Sequence, residues 1–241
     1  MTELATVETN KLATIPEHLR GDVGNRDGKD NVGQGDLLIP RLSLAQSMTP
    51  QLKRTNENYN PDLEEGQFFN SVTGEIYGDS VTVIPLHFFK QYIQFGEDRR
   101  IVKIYDNEEV PSAASLAFVD GQKPLVTEFK NRMSLLLKED GSIQPVVVSF
   151  KSSGLKVAKK WNYLISEKNL PGYAYTYNLQ SVAVPGDKGE YFSVKVTRGD
   201  FTPAALYENS KQYFAALQDA GVKIDTSGVE PESDEDTSFD Q

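Results

Sequence analysis

The sequence predicts a mainly β body of the α+β class, and three observations carry that expectation. Apolar runs rich in β-branched and aromatic residues recur with turn signals between them. One amphipathic helix interrupts the series after Val146-Val147-Val148, and a second closes the apolar part of the chain. Both ends are polar. Residues 1–35 and 225–241 hold almost no apolar clusters, so a single folded body is expected over 36–224. A disordered N-terminal arm would precede it and an acidic disordered tail would follow.

The elements follow in order. Leu37–Leu44 is the first ordered candidate, with Pro40 marking an edge strand or a break. Residues 50–66 read as a loop, and Gln67–Asn70 leads into turns at Thr73-Gly74 and Gly78-Asp79. Val81–Phe95 is the longest strand candidate, and Pro85 within it demands a bulge or an edge position. Arg99–Tyr105 is its expected hairpin partner. Residues 106–124 read as irregular, with one helical turn near Ser112–Ala117. Val126–Leu137 and Ile143–Lys151 form a hairpin through the Asp140-Gly141 turn signal.

The central stretch comes next. Ser152 and Ser153 offer N-cap oxygens to a helix over Leu155–Ser166. Val157, Ala158, Trp161, Leu164 and Ile165 share one face of it; Lys156, Lys159, Lys160 and Tyr163 lie largely on the others. A hairpin of Tyr173–Val184 and Glu190–Arg198 follows. Tyr173, Tyr175 and Tyr177 stand at alternate positions, so they are expected to share a face. In the second strand Phe192, Val194 and Val196 point one way; Tyr191, Ser193, Lys195 and Thr197 point the other. Thr202-Pro203 starts a terminal helix that runs to Ala220. A helix between the third and fourth strands of a small, partly open barrel is an OB-like arrangement. An α+β sheet with one covered face fits the same pattern.

The formal charge of −10 describes the tail more than the body. Residues 225–241 hold seven acidic residues and no basic one, whereas Lys123–Lys168 hold nine basic against four acidic, a local +5. A polyanion therefore stays open as ligand. Cysteine is absent, which removes disulfides, thiolate metal sites and Cys nucleophiles and suits a reducing cytoplasm. Met1-Thr2-Glu3 leads into polar residues, so no signal peptide is expected, and no apolar run reaches the length of a membrane span.

Catalysis has few candidates. The two histidines are His18 and His87, and only the second lies in the expected body. No phosphate loop, GxGxxG or GxSxG occurs. Ser153-Gly154-Leu155-Lys156 matches SxxK without that family's other motifs, so a capped helix explains it better. The acidic pairs Glu64-Glu65, Glu97-Asp98 and Glu108-Glu109 sit beside turns, where solvated charges belong. The expectation is no enzyme, no cofactor and no metal; a DNA-processing enzyme with scattered carboxylate ligands is the lesser alternative.

Binding is easier to place. A single nucleic-acid strand needs cations along its backbone and rings under its bases. Lys151, Lys156, Lys159 and Lys160 are the candidate cations, and Tyr173, Tyr175, Tyr177 and Trp161 the candidate rings. Phe88, Lys90 and Tyr92 form a second aromatic–basic alternation, and Lys195 adds a further cation. The structural alternative is plain: alternate tyrosines pack under helices, and helical lysines are often just a wet face. Asp234, Glu235, Asp236 and Phe239 could dock partner proteins, or compete for the body's own cationic groove.

Element order and tail together resemble the single-stranded DNA-binding proteins of tailed bacteriophages. The resemblance rests on the strand–helix–strand core around 81–198, the terminal helix and the acidic tail carrying Phe239. The segments LLIPRLSLAQ (37–46), FFNSVTGEIYG (68–78) and VVVSFKSSGLKVAKKWN (146–162) also look like recurring stretches of phage proteins. In such relatives the tail commonly ends at or near an aromatic residue; here Asp240 and Gln241 follow Phe239. The resemblance implies a non-enzymatic protein that coats single-stranded DNA in replication, recombination and repair. It would act in the host cytoplasm and recruit replication or recombination proteins through its tail. A virion or assembly protein that uses its sheet for protein contacts is the rival reading.

Overall fold

The computed structural model describes residues 17–18, 38–96, 100–105, 111–117, 124–186 and 189–220. The arm before residue 17, residues 19–37 and the tail after Ala220 lie outside them, and with them Asp234, Glu235, Asp236 and Phe239. The strands are β1 (Arg41–Leu44), β2 (Phe68–Asn70), β3 (Ile76–Gly78), β4 (Ser80–Phe95), β5 (Ile101–Tyr105), β6 (Val126–Leu137), β7 (Ile143–Phe150), β8 (Tyr175–Gly186) and β9 (Gly189–Phe201). Helix α1 (Gly154–Ser166) lies between β7 and β8 in the chain, and α2 (Ala204–Ala220) follows β9. Short 3-10 turns occupy Pro50–Leu52, Ala113–Leu116 and Gly172–Ala174. The mainly β expectation holds.

The strands form one sheet in the order β3-β2-β1-β7-β6-β4-β8-β9, with β5 added to β4, and the sheet curls into a half-barrel. All pairings are antiparallel except β1 beside β7. Strand β4 is the axis. One edge pairs with β6 over nearly its whole length. The other edge is divided, with β8 on residues 80–83 and β5 on residues 92–95. The bend comes at Pro85. Pro85 pairs with Ser134 and His87 with Met133, which leaves Leu86 as the extra residue of a bulge. Proline has no N–H for the ladder, and a bulge both tolerates that loss and bends the strand.

The curl gives the sheet two apolar faces. On the concave side Val81, Val83, Leu136, Val146, Val148, Leu179 and Val196 join Ala158 and Trp161 of α1 in the largest cluster. On the convex side Ile84, Leu86, Met133, Leu135 and Val147 meet Leu206, Tyr213 and Leu217 of α2. The run Val146-Val147-Val148 is apolar throughout because both of its faces are covered. Each fully buried Ile, Leu or Phe here contributes about 1.5–3 kcal/mol.

Side chains bind the two ends of the sheet. Gln46, just beyond β1, donates from Nε2 to the Phe192 carbonyl (2.7 Å) and accepts from the Phe192 N–H (3.0 Å). Its amide thus does for β9 what one residue of a neighbouring strand would do. Gly66 passes close by: a Cβ there would stand 2.6 Å from the Phe192 ring, and its φ of +83° is also suited to glycine. At the other end of β9, Arg198 donates to the Leu164 carbonyl and to Glu167 Oε2, so the end of α1 is fixed over the sheet.

One local expectation is corrected. Ser153 is already helical (φ −57°) and makes no side-chain cap, while Ser152 takes φ 50°. The helix is entered through a tight turn, with Gly154 N–H bonded to the Lys151 carbonyl and Leu155 N–H to that of Ser152. Backbone oxygens satisfy the donors that serine oxygens were expected to satisfy.

Candidate nucleic-acid interface

The tyrosine series is divided. Tyr173 lies in the 3-10 turn before β8 and packs on the convex side, with its ring 5.2 Å from Tyr207 and 6.0 Å from Phe214 of α2. Tyr175 and Tyr177 belong to the concave cluster. The expectation of one shared face fails because strand geometry begins only after Tyr173, and alternation cannot be counted through a turn. Tyr175 stacks on Phe201 at 4.5 Å, with Arg198 over its ring. Tyr177 is 1% exposed, 5.9 Å from Trp161, and burial raises its pKa against the pull of Arg198 and Arg132. Trp161, also 1% exposed, meets Phe150 edge-on at 6.2 Å. Neither Tyr177 nor Trp161 presents a ring face to solvent. Trp161 of α1 and Tyr177 of β8 instead meet in the core between the helix and the sheet.

The second alternation lies on the same concave face where β4 and β6 run on beyond α1. The register places Phe88 opposite Arg132, Lys90 opposite Lys130 and Tyr92 opposite Glu128. Residues directly opposite on an antiparallel pair share a face, so two cations from β6 join the predicted set. Tyr105 of β5 stands opposite Tyr92, and Lys103 opposite Gln94. Lys103 lies 4.4 Å over the Tyr105 ring, whose hydroxyl donates to Gln94 Oε1. Cations and rings thus alternate across three strands.

The electrostatics of this face are unusual for a sheet. Arg132, 7% exposed, is held between the rings of Phe88 and Trp161, each 5.2 Å from its guanidinium carbon, and donates to Asn162 Oδ1. Among the described residues no carboxylate pairs with it, and burial brings its pKa down to about 10. Lys130 is 8% exposed, and its one carboxylate contact among the described residues is Glu128 at 3.8 Å. Burial lowers its pKa first, Glu128 opposes this, and Lys159 and Lys90 lower it further. Lys159 of α1 therefore borders the same patch as Lys90. Phe88, Lys130, Arg132, Phe150, Trp161 and Asn162 line a shallow cleft at its centre.

The remaining candidates are placed less tightly. Lys156 and Lys160 are exposed on α1, and Lys151 is half-buried at its entrance. Lys195 is exposed on β9 beside the inward Val194 and Val196, so it faces away from α1. Tyr92 is buried and has an edge at most to offer. Sequence reasoning missed Lys130, Arg132, Lys103 and Tyr105. The alternation Glu128-x-Lys130-x-Arg132 inside the strand Val126–Leu137 was the available signal, because three charges on one face of a largely buried strand need a reason. Among the described residues no three His, Asp or Glu side chains converge as a metal-ligand set, and no helix is long and apolar enough to cross a membrane.

A family model described as Pam3 phage gp34-like protein matches residues 7–223. The chain belongs to that family. No curated protein and no solved structure matches it. The match makes this a phage protein. It spans every strand and both helices, so the cationic β4–β6 face of this gp34-like protein lies within the shared region.

Proposed function

We propose that this gp34-like protein binds single-stranded DNA without strong sequence preference, as a non-enzymatic component of phage DNA replication, recombination and repair. The observation that supports this best is the concave β4–β6 face. Lys90, Lys130, Arg132 and Lys159 gather there with Phe88, and among the described residues Glu128 is the one carboxylate in contact. Burying cations such as Lys130 and Arg132 without full charge compensation costs stability, and perturbed cations beside a cleft are candidates for a functional site. A backbone of phosphates with unstacked bases is a ligand that suits lysines and an open ring together.

Strand order supports an OB-like reading of the same region. Taking β4, β6, β7, β8 and β9 as five barrel strands, their order in the sheet is third, second, first, fourth, fifth, with α1 following the third. In OB-folds the face of strands two and three binds oligonucleotides; here these are β6 and β7, and the cationic patch shares β6 with that face while its other strand is β4. The tail residues Asp234, Glu235, Asp236 and Phe239 would dock replication or recombination proteins, and the host cytoplasm is the place of action.

A mobility-shift titration of labelled oligo(dT) against a duplex of equal length tests the reading. Preference for the single strand is expected; no shift of either would overturn it. A protein-contact role in assembly has its own support in the exposed Val102 (63%), Ile104 and Leu125 (70%) on and beside the β4–β5–β6 arm. That role alone predicts no salt-dependent nucleic-acid affinity.

A further inference from the structure

The geometry points to one built phosphate seat on this face, formed by Lys90 of β4, Lys130 of β6 and Lys159 of α1. This deepens the single-strand reading by naming where one backbone phosphate sits, and its physical claim can be tested without DNA.

The argument begins with a pairing that a sheet ordinarily avoids. Lys90 and Lys130 are directly opposite in the antiparallel ladder, on the concave face. Such a pair has Cβ atoms about 5 Å apart, and like charges there destabilise the sheet. One of the two is buried, which removes the water that would screen them. Lys159 adds a third ammonium from a different element. Among the described residues Glu128 is the only carboxylate in contact, at the outer limit of an ion pair and on the same strand as Lys130. Lys90 and Lys159 make no ion pair among the described residues. Counting Arg132 on the next rung, four cations face one anion among the described residues.

Lys90 and Lys130 on paired strands, with Lys159 on the helix whose Ala158 and Asn162 border Lys130, suit a tetrahedral anion with several oxygens better than a planar carboxylate. Carboxylates are usually taken by the two-pronged guanidinium, and lysine binds phosphate as a point charge. The guanidinium present here is occupied by Asn162 and two rings, so it acts at a distance through its charge and by holding α1 against β6. Phe88 stands two residues from Lys90, about 7 Å along the strand. A phosphate on the lysines would leave a base within reach of that ring.

The experiment is a thermal melt of the full chain with inorganic pyrophosphate against sodium chloride at matched ionic strength. A ligand that binds only the folded state raises the melting temperature, by roughly 3–6 °C at ten times its dissociation constant. The shift should be lost in Lys130→Met and in the exposed Lys90→Met, and kept in Lys195→Met, whose side chain faces away from α1. Lys130→Met without ligand should melt no lower than the wild type, because a buried like charge has gone. No shift in the wild type, or an equal shift in Lys90→Met, overturns the seat. Oligo(dT) binding separates the two ideas. Binding without a pyrophosphate shift overturns the seat and leaves the single-strand reading; a lysine-dependent shift without oligo(dT) binding does the reverse.

Discussion

The β8 tyrosines and the Phe88–Lys90–Tyr92 stretch of β4 present nearly the same pattern in sequence and opposite environments in the fold. Both alternate along a strand, and Tyr177 and Lys90 both face the concave side. Over β8 lies α1, held by its own Trp161 packed against Tyr177 and by Arg198 at its end. Over Lys90 the face is open, and Lys90 is exposed. Alternation tells which side chains share a face, but what covers that face is decided by contacts far away in the chain. The first pattern therefore holds the fold together, and the second is free to meet a ligand.

The largest expected effect tests the covered half. Trp161→Ala should cost about 3–5 kcal/mol of stability, as truncation of a buried aromatic does. Urea unfolding followed by circular dichroism measures it, and loss of oligo(dT) binding should follow the loss of folded protein, apart from a small change through the Arg132 guanidinium that the ring covers. Binding loss with intact stability would put Trp161 on the ligand and erase the distinction.

The open half predicts the reverse for Phe88→Ala. It should lose about 1–3 kcal/mol of oligo(dT) affinity by fluorescence anisotropy, the range for removing a base-stacking ring. A smaller loss of stability should accompany it, because the ring also covers the Arg132 guanidinium. Unchanged affinity would leave the site without a stacking platform.

The smallest effect concerns the fastening of α1. Glu167 is held below the ordinary carboxylate range, first by its hydrogen bond to Arg198 and then by that residue's charge. A depressed folded pKa gives stability that is complete above the unfolded value, about 4.3 for glutamate. It is lost as pH falls through the folded value. Wild type and Glu167→Gln should thus differ slightly in melting temperature at pH 7 and converge in acid. Since the pair is solvated, a large difference would mean that it holds the cover in place far more strongly than an exposed ion pair does.

Much of this frame was legible in the sequence. The bounds of β4, β6, β7 and both helices follow from β-branched runs, helical periodicity and the Asp140-Gly141 turn, all of them local signals. Of the bulge or edge position expected at Pro85 the bulge is present, and the missing N–H that demands it is an equally local signal. Three features were not legible, and each depends on distant partners. The turn at Gly172–Ala174 sends Tyr173 to the convex side because α2 waits there with Tyr207 and Phe214. A second bulge opposes Thr176 with Gly199 and Asp200, which plain alternation does not foresee. The parallel docking of β1 on β7 joins residues about a hundred positions apart. The candidate site shows the same division. Phe88 and Lys90 stood out by spacing alone, whereas Lys130 and Arg132 became part of the site only through the β4–β6 register.

The central claim is that the open concave face holds a phosphate backbone through Lys90 and its neighbours. Its most direct test is oligo(dT) affinity measured across a salt series for the wild type and Lys90→Ala. The account predicts a linear fall of log affinity with log salt, with a slope of about 0.7 for each phosphate neutralised. For Lys90→Ala the slope should be shallower by up to about that amount. A wild-type affinity that stays flat across the series, or a Lys90→Ala slope equal to that of the wild type, would contradict it.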